Sequence, residues 1–239
     1  MAHLSTTCIH RFLSTTLLSA SLFCASMPAS GFWVVNFGTA STLQPKSIGF
    51  AAGMGGQMVF LGEPRMTSAF FTIPHAGFRF GLTSRVDAGL RLAPIPLPFS
   101  TVGPGFGINI DAKFRLTNTN SKVQCALVAG IGGAHVLIRD EHRFAWSPNA
   151  AALTTFRINK QTQITFMGRY VHLEIPTAKE GAKGNFVDIS GVSAGLKRSI
   201  TPSVSILPEV GVYWYEGAVT KIPTSGPGFQ YGLMLAATL

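Results

Sequence analysis

Apolar and polar residues alternate with a period of two along most of this chain. The clearest case is residues 105–116, GFGINIDAKFRL. Phe106, Ile108, Ile110, Ala112, Phe114 and Leu116 fall on one face. Gly107, Asn109, Asp111, Lys113 and Arg115 fall on the other. A strand sends successive side chains to opposite faces, so this stretch predicts one apolar and one polar, charged face.

The same rhythm starts at Ser47 and recurs to the end of the chain. Ile48, Phe50, Ala52, Met54, Met58 and Phe60 oppose Gly49, Gly53, Gly55 and Gln57. Phe78, Phe80 and Leu82 oppose His75, Gly77, Arg79 and Gly81, and Ala88, Leu90 and Leu92 oppose Asp87, Gly89 and Arg91. Later stretches follow at 122–138, 151–158, 163–174, 186–197, 204–215 and 229–239. Three irregular points stand out: Gly132-Gly133 and Gly191 as bulge sites, and a loss of phase near Val171. The total is about ten strands, inside the usual count for closed membrane barrels.

The connections alternate in length. Thr83-Ser84-Arg85, TNTNS from Thr117, NKQT from Asn159 and ITPS from Ile200 are short. Links beginning at Gly62, Pro94, Arg139, Pro176 and Glu216 are longer. A barrel with short turns at one end and longer loops at the other has this rhythm, and a soluble sandwich has no reason to keep it.

Composition points the same way. The chain is 46% hydrophobic and 12% charged, against about 25% charged for ordinary soluble domains. No apolar run approaches the roughly 18 residues of a spanning helix. The expectation is therefore all-β, an antiparallel transmembrane β-barrel of about ten strands, with a lipocalin-like soluble barrel as its competitor. Lipid supplies no hydrogen bonds to backbone, so spanning strands must close on themselves.

Residues 1–30 read as a cleaved export signal. A weakly basic start at His3, His10 and Arg11 precedes the apolar run FLSTTLLSASLFCA, and small residues follow. Cys24 follows Phe23 where a lipobox requires a small residue, which argues against lipidation. Cys8 and Cys24 lie in the signal, so the mature chain keeps Cys125 and has no internal disulfide. Residues 31–46 are expected to be a periplasmic lead-in or plug, with an extra short strand at GFWVVNF as the alternative, and 47–239 the barrel.

The pattern from 47 to 239 resembles that of small Gram-negative outer-membrane β-barrel proteins, at the level of the class and of no single family. The last strand, with Gln230, Gly232, Leu235 and terminal Leu239, is similar to the C-terminal signal read by the barrel-assembly machinery. Leu239 stands where an aromatic is usual. The resemblance implies short periplasmic turns, external loops, location in the outer membrane, contact with lipid and lipopolysaccharide, and a monomer. Phe60, Phe70, Phe106, Trp214 and Phe229 are candidates for interfacial aromatic girdles.

The predicted lumen carries Arg79, Arg91, Lys113, Arg115, Arg157, Arg169 and Lys197 with Asp87, Asp111 and Glu209. Unpaired charge in a narrow interior is costly, so a bracing salt-bridge network is one reading. The excess of basic groups equally suits a narrow porin-like channel for small, anionic solutes, and that is the functional expectation. The net charge of +9 is scattered, with no basic tract, which argues against nucleic acid. A rim-active hydrolase is a further alternative, with Asp140, Glu141 and His142 in one loop and His172 and Glu174 at a strand end as its acid–base candidates. The chain is not expected to be an enzyme. His75 and His135 suggest no metal, and GMGGQ at Gly53 is not followed by a helix, so no cofactor is expected.

Overall fold

A computed structural model describes residues 38–61, 66–95, 102–138, 141–175, 185–219, 222–223 and 225–239. The expected signal and residues 31–37 lie outside these. The strands are β1 (Ile48–Leu61), β2 (Met66–Gly81), β3 (Val86–Ile95), β4 (Val102–Arg115), β5 (Val123–Ile138) and β6 (Glu141–Arg157). They continue as β7 (Thr162–Ile175), β8 (Asn185–Ser199), β9 (Val204–Val219), β10 (Ile222–Pro223) and β11 (Gly226–Thr238). β10 is a two-residue extension paired with β9. The ten long strands pair antiparallel in chain order, and β11 pairs with both β9 and β1, closing the ring. Closure satisfies the backbone of every strand without water, as lipid requires.

Three of the four short connections share one chemistry. Thr83 Oγ1 accepts from the amides of Arg85 and Val86, Asn159 Oδ1 from Gln161 and Thr162, and Thr201 Oγ1 from Ser203 and Val204. A short polar side chain thus replaces the missing ladder partners at each turn. These turns share one end of the barrel with the joined strand termini, where Leu239 N donates to Ile48 O.

The outer face is a continuous apolar surface. Phe78, Ile110, Leu127, Phe166, Val212 and Leu233 are all exposed. Soluble monomers rarely present apolar patches beyond a few hundred Å², so this wall suits lipid. The band has a visible upper edge. Across β7, β8 and β9, His172 lies opposite Asp188 and Asp188 opposite Glu216, all on the outer face. One rung below, Tyr170, Ser190 and Trp214 align.

Along β7 and β8 at that edge the polarity inverts, while Trp146 and Phe186 stay exposed on the outer face beside Glu174. Val171, Leu173, Val187 and Ile189 point inward and are buried, while His172, Glu174 and Asp188 point outward. This inversion explains the irregularity near Val171. The β7–β8 register runs unbroken from Thr162 to Ile175, so no phase slip occurs there. Neither Gly132-Gly133 nor Gly191 carries a bulge. Gly191 is small because a Cβ there would lie 2.6 Å from the Tyr213 ring, and one at Gly211 would lie 2.8 Å from the same ring. The register shifts sit instead at Gly53/Gly55 and Gly103/Phe106. The strands also outrun their expected ends. Much of the long link expected after Arg139 is strand, with Ile138 paired to Glu141.

Residues 38–43 run inside the barrel at the short-turn end, and 44–46 are exposed at its mouth. Lys46 turns the chain into β1 with a left-handed φ of 67°. Its amide donates to Gly81 O at 2.8 Å, and a side chain at Gly81 would run into the Gln44 carbonyl.

Candidate functional site

The lumen is built from rungs. On one, Arg79 of β2, Gly89 of β3 and Asp111 of β4 lie side by side. On the next towards the short turns, Asp87 lies opposite Lys113. This register, with alternation sending all these side chains inward, brings five charges together. Arg79 reaches both Asp87 (2.7 Å) and Asp111 (2.6 Å), Arg91 reaches Asp111 (2.9 Å), and Lys113 reaches Asp87 (3.4 Å). Both aspartate side chains are fully buried. Each serves two cations, so the desolvation cost of burying them is offset by pairing.

The inserted strap is held by the same network. Lys113 Nζ donates to the carbonyls of Thr39 (3.1 Å) and Ser41 (2.6 Å), and Asp87 Oδ2 accepts from the Leu43 amide. On the far wall, Thr155 Oγ1 accepts from the Ala40 amide, and Ser41 Oγ donates to Gln124 Oε1. Ala40 is wholly buried.

The other predicted lumen charges separate into groups. Arg115 donates to Ser84 O and Thr119 Oγ1, and Arg157 donates to Thr119 O, so both serve the turn rim. Arg169 and Glu209 are buried at mid-height, with Arg169 in electrostatic reach of Glu209, Tyr213, Asp111 and Arg91. Lys197 faces a cavity of about 210 Å³ bordered by the strap.

Several partners were not visible in the sequence. Gln57, Tyr215 and Gln230 form a buried cluster, with Gln230 Nε2 donating to Gln57 Oε1 at 2.8 Å and Tyr215 Oη donating to the same oxygen at 3.1 Å. Asn149 donates to Asn109 Oδ1 at 2.7 Å. Each is an isolated amide or phenol in its own strand. Only register brings them together. Among the girdle candidates, Trp214 and Phe229 are exposed on the outer face and Phe60 is half-buried. The side chains of Phe70 and Phe106 lie outside the description. Phe50–Phe78, Phe156–Phe166 and Phe229–Tyr231 are further outer-face ring pairs.

Among the acid–base candidates, Asp140 lies outside the described residues. Glu141 and His142 begin β6, but their side chains are not described. His172 Nδ1 lies 2.8 Å from Asp188 Oδ1, and Tyr170 Oη donates to the same oxygen at 2.5 Å. The imidazole is flanked by Trp146 and Phe186. A carboxylate-oriented imidazole is half of a general-base pair. Among the described residues no hydroxyl or thiol is hydrogen-bonded to His172, and the pair sits on the outer face. No cluster of three His, Cys, Asp or Glu residues suited to a metal occurs among the described residues.

No family model matches this chain, and no curated protein matches its sequence. Solved structures do match. An outer-membrane channel from Pseudomonas putida F1 is 9% identical, over 86% of this chain and 100% of that one, with a TM-score of 0.54. The outer-membrane protease OmpT of Escherichia coli is 12% identical over 84% and 100%, at 0.45. The translocator domain of the autotransporter NalP from Neisseria meningitidis is 11% identical over 97% of both, at 0.40. The first likeness carries the fold: a closed antiparallel barrel of the outer-membrane type.

Proposed function

We propose that this chain is an exported outer-membrane protein whose barrel is shut at rest and serves as a structural support that presents its long-loop end. The observation that carries this reading is the strap bonded across the lumen. At the short-turn end, taken as periplasmic, the strap hydrogen-bonds to Lys113, Asp87 and Thr155. Towards the long loops, Leu173 and Val171 are 1% exposed and Ile189 2%. Side chains this deeply buried make an apolar inner wall on β7 and β8 at that end. In this reading β11, the last long strand, carries the signal to the assembly machinery, and the chain is monomeric.

A second reading is a narrow porin-like passage for small anions. It is favoured by the seven basic against three acidic groups among the ten predicted lumen charges. A passage of this kind requires the strap to withdraw.

Fractionation of cells and a liposome-swelling assay separate the readings. An outer-membrane location, heat-modifiable gel migration and no swelling in small anionic or cationic solutes support the shut barrel. Swelling selective for anions favours the passage. A soluble periplasmic protein without a heat-modifiable form contradicts both.

A further inference from the structure

We infer that the cavity beside the strap is a binding site for a small monocarboxylate with an apolar body, with Lys197 taking the carboxylate. The cavity lies between strap residues Thr39, Ser41 and Leu43 and the wall made by β8, β9, β11, β1 and β2. Ala237 and Thr238 border it, so it is reached from the short-turn end.

Its chemistry divides in two. Arg79, Arg91, Lys113 and Lys197 supply cationic surface, and Leu43, Ala51, Leu207, Met234 and Ala236 supply apolar surface. Three of the cations are engaged. Arg79 and Arg91 hold Asp87 and Asp111, and Lys113 spends its three donors on Thr39 O, Ser41 O and Asp87. Among the described residues, no acceptor or carboxylate reaches the Lys197 ammonium. Lys197 is half-buried beside the strap with its ammonium open to the cavity, so a bound anion would meet an unengaged cationic donor there.

Charge and size define the ligand. One unengaged ammonium matches one negative charge, and the apolar lining favours hydrocarbon over a second polar group. The volume of about 210 Å³ exceeds a single-water site and falls below drug-sized pockets of roughly 300–1,000 Å³. The inference does not depend on whether the lumen conducts.

The test is calorimetric titration of the refolded full-length mature protein in detergent with hexanoate, and with hexanol as the uncharged counterpart. Folding of each variant is checked by heat-modifiable migration. Saturable binding of hexanoate at one site, at least tenfold tighter than hexanol, is expected. Lys197→Gln should weaken hexanoate at least tenfold, and Lys197→Arg should retain it. Ala236→Leu, which fills the apolar side and leaves every charge in place, should weaken it too. No binding of hexanoate, equal affinity for hexanol, or unchanged affinity in folded Lys197→Gln or Ala236→Leu overturns the inference. Conductance read in parallel judges the shut-barrel reading separately. Current through a barrel that binds hexanoate contradicts that reading and leaves the site standing.

Discussion

Arg79 and Asp111 meet across the face of Gly89, with Nη2 2.6 Å from Oδ1, although a whole strand separates them. The contact exists because Gly89 has no side chain. A Cβ there would lie 2.8 Å from Arg79 Nη1 and 3.1 Å from Asp111 Oδ1. Alanine in a strand normally gains up to about 1 kcal/mol over glycine. Here that gain competes with displacing a guanidinium from buried carboxylates, where breaking a pair costs about 3–5 kcal/mol. Gly89→Ala is therefore expected to lower the urea midpoint of the refolded protein, and Gly89→Val to lower it further. A raised midpoint would show that Arg79 gives way freely.

Asp87 joins wall to strap. Its carboxylate accepts from Arg79 Nε at 2.8 Å and from the Leu43 amide at 3.1 Å. Asp87→Asn leaves Arg79 and Lys113 short of a counter-charge and loosens residues 38–46. The expected loss is about 3–5 kcal/mol. It should appear as a lower unfolding midpoint and as faster trypsin cleavage after Lys46 in the still-folded barrel. Equal cleavage rates in both proteins would detach Asp87 from strap retention.

The Gln57–Tyr215–Gln230 cluster tests the asymmetry of buried hydrogen bonds. Gln230→Leu removes a donor to Gln57 and to Tyr215, and is expected to cost about 1–3 kcal/mol. Gln57→Leu combined with Gln230→Leu removes both sides of the amide pair and should cost less than the sum of the two single changes. A denaturant series on the two single variants and the double variant checks this. Strict additivity would place the two amides in independent roles.

His172 lies on the outer face, away from the lumen and the strap. A partly exposed imidazole–carboxylate contact contributes about 1 kcal/mol or less. His172→Ala should leave heat-modifiable folding intact and stability nearly unchanged. Any lipid-hydrolase activity that disappears in this variant would revive the rim-active reading.

The strand phase and the inward charges were legible because one face had to be apolar. Asp111 and Lys113 could be assigned to the polar face from their place between Ile110, Ala112 and Phe114, and to the lumen once the rhythm of the whole chain indicated a barrel. The upper wall was not legible in that way. On β7 there the inward residues are apolar and the outward ones polar, so Val171, Leu173, His172 and Glu174 keep the period of two with its meaning reversed. A reader of the sequence sees a loss of phase where the chain leaves the apolar band. The same inversion hid the outer partner Asp188, which lies between two inward apolar residues, Val187 and Ile189. The brace was half visible. Its charges could be enumerated, but their pairing depends on register across β2, β3 and β4, which no single strand encodes. The strap's carbonyls, which hold Lys113, leave no side-chain signature at all.

The most direct test of the shut lumen is the current carried by the refolded mature protein in a planar lipid bilayer under a salt gradient, compared with a variant lacking residues 31–46. The account predicts silence from the intact protein. Removing the strap removes its bonds to Lys113, Asp87 and Thr155, so the shortened one should show openings that the intact protein lacks. Sustained discrete steps from the intact protein, with a reversal potential of anionic sign, would contradict the account and establish the lumen as an open anion passage.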